Sequence, residues 1–142
     1  MKYSICITTK DRLESLKRLI ASIEQHTADY ELIVVNDASI DGTTDWLAKQ
    51  SIRYGHHRGS QAYQSISYTT SIPVATAWNL GCEVANGEFI QILNDDMEVT
   101  EGWLEQQKQL YDYLTSSGQK VGVLAAKLLR GDEVLSRGGA FR

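Results

Sequence analysis

Proline, cysteine, basic clusters and long apolar runs are what this 142-residue chain has least of. Its only proline is Pro73, and its two cysteines, Cys6 and Cys82, are too far apart for a CxxC pair. They read as reduced, core-facing thiols, with a disulfide between them as the alternative. No apolar stretch approaches the roughly 20 residues that cross a bilayer. The start, MKYSICITTKDR, lacks the apolar stretch of a signal peptide, so the expected compartment is the cytoplasm, including the inner face of its membrane. A net charge of −4 without basic clustering excludes nucleic acid as the natural partner. No GxGxxG follows the first strand-like run, and GxxxxGK[ST], GxSxG and HExxH are missing. Dinucleotide Rossmann sites, P-loop NTPases, serine nucleophile elbows and zincins are thereby set aside.

What remains is a chain of ordinary globular composition, 42% apolar and 23% charged, sized for a single domain over 1–142. The β-formers of 3–9 predict a strand. Leu13, Leu16, Leu19, Ile20 and Ile23 at helical spacing predict a helix over 12–26, with Asp11 as N-cap and Glu14 completing a capping box. The apolar run 30–35 predicts a strand covered on both faces. A turn-rich loop (36–44), a short helix (44–50) and a short strand (51–55) follow. Residues 55–73 show neither period and read as a long functional loop, its His56 and His57 facing solvent. A helix over 74–86 is stopped by Gly87 in a left-handed C-cap. A strand (88–93), a helix (100–117) and strands over 120–129 and 133–141 about an RGD turn complete the order. Alternating strands and helices mean an α/β three-layer sandwich with a mostly parallel sheet.

In such sheets ligands bind beyond the carboxyl ends of the strands. Three polar clusters fall there: Thr8 to Asp11, Asn36 to Ser39, and Asn94-Asp95-Asp96. Two adjacent acids at the end of a buried strand, with no lysine or arginine close in sequence, suit a hard divalent cation bound through oxygen. Mg²⁺ or Mn²⁺ there bridges a net-acidic rim to an anionic nucleotide. Asp37, on another strand end, is placed to accept a hydrogen bond from a base or ribose. Asp11 and Asp41 read as helix and turn caps.

These segments resemble the large inverting family of GT-A glycosyltransferases. SICITTKDRLESLKRLIASI is similar to its opening strand and helix, with TTKDR where many members have P-T-Y-N-R. LIVVNDASIDGTTDWL resembles the V-D-D-G-S-x-D-G-T signature, and the segment from VATAWNLG to NDDMEVTEGWLEQ resembles the run into the DxD motif. GVLAAKLLRGDEVLSRGGAF is similar to the strands of the rhamnosyltransferase-like branch. The resemblance implies a nucleotide-diphospho-sugar transferase fold, apparently truncated. It also implies transfer of a sugar, with inversion, from a UDP or dTDP donor to a glycan or lipid-linked acceptor. Asp96 matches the metal-binding last position of DxD, and Asn94 takes the first position as an amide. Asp95, Asp37, Ser39, Thr9 and Asn79 match nucleotide-binding positions. Trp78 stands where relatives carry Arg, and is either a site residue or core packing. Glu98 and Glu101 read as helix-start acids. The acidic catalytic base of the family lies downstream of RGGAF, so no base is assigned here. The alternative is a non-catalytic sugar-nucleotide-binding module, or a subunit completed by a partner; a homodimer is one form of such completion.

Overall fold

A computed structural model describes residues 3–55, 62–136 and 138–141. His56 and His57 lie outside them. The described chain forms two compact units, up to Val99 and from Thr100 onwards.

The first unit is built on a four-stranded, fully parallel sheet in the order β3-β2-β1-β4. Its strands are β1 (Tyr3–Thr9), β2 (Tyr30–Asn36), β3 (Ala62–Ser67) and β4 (Phe89–Asn94). Helices α1 (Leu13–His26), α2 (Thr43–Gly55) and α3 (Val74–Glu83) connect them. The first two crossovers run one way across the sheet and the third runs back, so right-handed connections put α1 and α2 on one face and α3 on the other. Side-chain contacts agree. Tyr63 donates to the Leu47 carbonyl of α2, whereas Gly81 of α3 lies against Cys6 and Val35. Every residue of β2 is buried, as its apolar run predicted. Leu16, Leu19, Ile20 and Ile23 of α1 are buried with Ile5, Ile7, Leu32 and Val34 to make the core. Cys6 and Cys82 are both free thiols. Burial, with Cys82 beside it, pushes the Cys6 pKa up to about 12, so this thiol stays protonated at neutral pH.

Four local expectations are corrected. Asp11 is no N-cap: it sits in the left-handed region (φ 51°) and accepts from the Ile40 N–H at 2.7 Å. The start of α1 is held instead by Asp41, which accepts from Leu13 N–H at 2.9 Å and from both the N–H and hydroxyl of Thr43. Residues 51–55 continue α2 rather than form a strand. The buried Thr43, Leu47 and Gln50 recur at i, i+4 and i+7, and that phase carries the helix on. The third strand falls inside the presumed loop, at Ala62–Ser67. Its sequence AYQSIS is polar because it pairs with β2 on one side only and ends the sheet. Finally, α3 ends at Glu83, and Gly87 is needed for a different reason. A Cβ there would stand 2.6 Å from the Ser4 backbone nitrogen.

That close approach seals a polar cluster at the amino ends of the strands. Ser4 donates to Glu31 at 2.5 Å and accepts from Gly87 N–H at 2.7 Å, while Asn86 N–H donates to the same Glu31 oxygen. Glu31 is 1% exposed.

The second unit holds helix α4 (Trp103–Ser116) and two small antiparallel ladders. Strand β5 (Val123–Ala125) pairs with β8 (Gly139–Phe141), and β6 (Leu128–Arg130) with β7 (Glu133–Ser136). The RGD tripeptide makes the β6–β7 turn, with Gly131 at φ 55°. Leu128, Leu129, Val134 and Leu135 of this hairpin are exposed.

Candidate functional site

The direction of strand addition reverses between β1 and β4. The loops leaving their carboxyl ends therefore diverge and leave a crevice, the usual ligand position in an open α/β sheet. A cavity of about 390 Å³ lies there, lined by Thr8 and Thr9 at the end of β1, Lys10 and Arg12 just after it, Asp37 after β2, Val74 and Ala77 on α3, and Asn94, Asp95 and Asp96 at the end of β4. The three polar clusters, scattered in sequence, share this one rim.

Each acid has a distinct environment. Asp95 is 7% exposed and accepts from the Thr9 hydroxyl at 2.8 Å. Burial raises its pKa; Thr9 and the Arg12 charge work against that rise, and the neighbouring Asp96 adds to it. Asp96, by contrast, is half-exposed and faces the guanidinium of Arg12, Nη1 to Oδ2 2.9 Å. The same Nη1 stands 3.6 Å from Asp95 Oδ1. This corrects the view of the acids as lacking a positive neighbour. None is close in sequence, but the fold delivers one from the other side of the crevice.

Asp37 accepts from Ile72 N–H at 2.7 Å, from the Ser71 hydroxyl at 2.9 Å and from Lys10 Nζ at 3.3 Å. Burial pushes its pKa up, but these donors prevail and hold it below the ordinary carboxylate value. Asp37 is thus ionised at neutral pH and presents acceptors to the cavity. Thr8 accepts from the Trp78 indole N–H at 3.0 Å, so Trp78 is half-buried and fixed beside the site rather than lost in the core.

Of the sequence-derived residues, Thr9, Asp37, Asn94, Asp95 and Asp96 line the cavity together. Ser39 lies behind it, accepting from Asp11 N–H at 2.9 Å and so bracing the two rim turns. Asn79 is exposed on α3 and is not among the lining residues. Lys10 belongs to the Thr8 to Asp11 rim cluster of the sequence but was given no role there; Arg12 and Ser71 were missed. For Arg12, the only signal was its place just after β1, in a stretch read as a helix start.

Among the described residues no group of three His, Cys, Asp or Glu side chains is arranged to hold a metal. Asp96, however, offers a half-exposed carboxylate to an open cavity and already holds a cation there. A divalent ion there would have to take its remaining oxygens from water and from a bound phosphate, the ordinary habit of Mg²⁺.

A parallel sheet with a polar crevice at its switch point defines the open α/β type of protein, in which ligands sit at that position. The chain matches the family Glycosyl transferase family 2 over residues 4–118, and belongs to it. Among solved structures, S. aureus TarS 1-349 is similar at 18% identity and TM-score 0.64, covering 90% of this chain and 42% of that one. The same protein in complex with UDP gives 16% identity and TM-score 0.61, covering 90% and 41%. The mannosyltransferase PcManGT from Pyrobaculum calidifontis, in complex with GDP-Man and Mn²⁺, gives 20% identity and TM-score 0.63, covering 72% of this chain and 30% of that one. At such identities the likeness is one of fold. The chain spans less than half the length of these proteins. No helix among the described residues is long and apolar enough to cross a membrane.

Proposed function

We propose that this chain is the donor-binding part of a glycosyltransferase that moves a sugar, with inversion, from a nucleotide diphosphate of the UDP or dTDP type to an acceptor hydroxyl. The observation that carries this reading is the switch-point cavity, with the Asp37 acceptor beneath one side and the half-exposed Asp96 carboxylate on the other. Asp37 is ionised and suits the N–H donor of a nucleobase; Thr9 shapes the wall and fixes Asp95. Asn94 and Asp95 stand on the path from ribose to diphosphate. Asp96 would hold Mg²⁺ or Mn²⁺, which supplies electrostatic stabilisation to the departing diphosphate, assistance of a kind typically worth several kcal/mol. TarS with UDP and PcManGT with GDP-Man and Mn²⁺ support the ligand class. A glycan or lipid-linked acceptor, a cytoplasmic site of action, a homodimer and the rhamnosyltransferase-like branch belong to the same proposal.

A second reading rests on the carboxylates themselves. Of those lining the cavity, Asp37 is tied to Ile72, Ser71 and Lys10, Asp95 is buried, and Asp96 is paired. None is placed as a free general base for the acceptor proton. That favours a sugar-nucleotide-binding unit whose reaction is completed by groups from elsewhere. Titration of UDP calorimetrically, with and without Mn²⁺, tests the shared core of both readings; no heat in either condition removes them. Metal-dependent sugar transfer by this chain alone then removes the second.

A further inference from the structure

The acids at the end of β4 are not waiting bare for a metal: a cation from the chain itself occupies them. Arg12 reaches across the crevice from the start of α1 and puts Nη1 2.9 Å from Asp96 and 3.6 Å from Asp95. A divalent ion bound to the same Asp96 oxygen at its usual distance of about 2.1 Å would crowd that nitrogen. Like charges so close repel, so each weakens the other's hold on the carboxylate. Both partners of the pair are about half-exposed, 54% for Arg12 and 51% for Asp96, so solvent screens the contact and it exchanges readily. Asp95 gives a displaced guanidinium little room, since its Oδ2 is taken by Thr9, its Oδ1 already stands 3.6 Å from the same nitrogen, and the residue is buried. Among the described residues, the ion-pair partners of Arg12 are these two acids. The anion best matched to its planar fork, once it is displaced into the cavity, is a phosphate group.

We propose that Arg12 is the resident counter-cation of the Asp95–Asp96 turn, and that it passes from Asp96 to the donor diphosphate when a divalent cation takes its place. This rests on the metal and nucleotide reading above. It makes Arg12 a diphosphate-binding residue and gives it a second consequence. Free metal is opposed by Arg12, whereas metal arriving with a diphosphate is not, so the two ligands strengthen one another's binding.

Mn²⁺ binding followed by the electron paramagnetic resonance signal of the free ion, with and without UDP, tests this without any turnover. In the parent protein UDP tightens Mn²⁺ binding. In Arg12→Met, Mn²⁺ alone binds about two- to fivefold more tightly, the range equivalent to relieving an exposed ion pair, and the enhancement by UDP shrinks. Arg12→Lys, which keeps the charge, restores the parent's weak binding of free Mn²⁺. Arg18→Met removes a cation paired with Glu98 rather than with the turn, and leaves both affinities unchanged. The proposal is overturned if Arg12→Met binds free Mn²⁺ no more tightly than the parent, if its enhancement by UDP is undiminished, or if Arg18→Met gains as much. Those results, with Mn²⁺–UDP binding intact in the parent, remove the role of Arg12 alone. Absence of Mn²⁺ binding to the parent in both conditions removes the underlying reading with it.

Discussion

The two ends of the sheet each hold buried acid, and they treat it in opposite ways. At the amino ends, Glu31 is enclosed and every partner is neutral and fixed: the Ser4 hydroxyl and the Asn86 amide, with Gly87 donating to Ser4. At the carboxyl ends, Asp95 and Asp96 face a cavity, and their positive partner is a half-exposed arginine. The first arrangement satisfies a charge permanently and serves the fold. The second holds it by a contact that solvent and ligands can replace, which is what a binding site requires. On the function proposed, stability and ligand binding are separated along a single strand, β2, with Glu31 near its start and Asp37 just past its end.

The largest effect that would break this contrast is loss of the closed end. Glu31→Ala leaves the buried Ser4 hydroxyl and the Asn86 N–H without their shared acceptor and is expected to destabilise by about 3 kcal/mol, the upper range for hydrogen bonds to a charged group. Gly87→Ala forces a Cβ onto the Ser4 backbone and is expected to lose about 2 kcal/mol, an overpacking cost. Urea denaturation measures both. If either variant unfolds at the parent's midpoint, the closed end is not structural. At the open end, Asp96→Ala is expected to change stability by less than about 0.5 kcal/mol, since its ion pair is exposed, yet to abolish the metal dependence of UDP binding in calorimetry. Retained dependence would place the ion elsewhere.

The same contrast is sharpened by pH. Burial works to raise the Glu31 pKa, but hydrogen bonds from Ser4, Asn86 and Gly87 win and lower it. Its stabilising contribution is complete above the ordinary glutamate value near about 4.3 and disappears as pH falls through the lowered folded-state value. For Asp95 the sign reverses. Its pKa is raised, chiefly by burial, so protonation favours the fold. That contribution is present below about pH 3.9 and is lost as pH rises through the folded-state value. Urea midpoints followed against pH should therefore respond in opposite directions to Glu31→Gln and Asp95→Asn. A common direction would contradict the assignment.

The smallest effect concerns the rim itself. Ala38 occupies the left-handed region at φ 55°, at the position that matches the glycine of the V-D-D-G-S signature. Ala38→Gly relieves that conformation and is expected to stabilise by up to about 1 kcal/mol, reduced by the greater freedom of glycine in the unfolded chain. An unchanged or lower melting temperature would mean the turn carries no strain.

How much of this was legible beforehand follows from the physics of each segment. β1, β2 and α1 were readable because their burial is local and periodic: a covered strand must be apolar, and a helix facing the core must repeat its leucines. β4 was readable from its run of β-formers, although it is an edge strand with Ile90 and Ile92 exposed rather than the buried strand expected. β3 was not, since an edge strand lacks that repeat, and AYQSIS resembles a loop until β2 is beside it. Asp41 was correctly read as a cap, but besides Thr43 at the start of α2 it also holds the start of α1, 28 residues earlier in the chain. Among site residues, Thr9, Asp37, Asn94, Asp95 and Asp96 were found from their place after strands. No partner was read for Lys10 or Arg12, because a cation's partner cannot be read from its neighbours in the chain.

The sequence by itself determined the alternation of strands and helices and therefore which chain segments end at the ligand-binding edge of the sheet. Only the tertiary structure decided that Arg12 faces Asp96, a pair separated by 84 positions. The reason is geometric. Local order follows from the periodicity of side chains along the backbone, whereas charge pairing across the crevice depends on how β1 and β4 lie side by side.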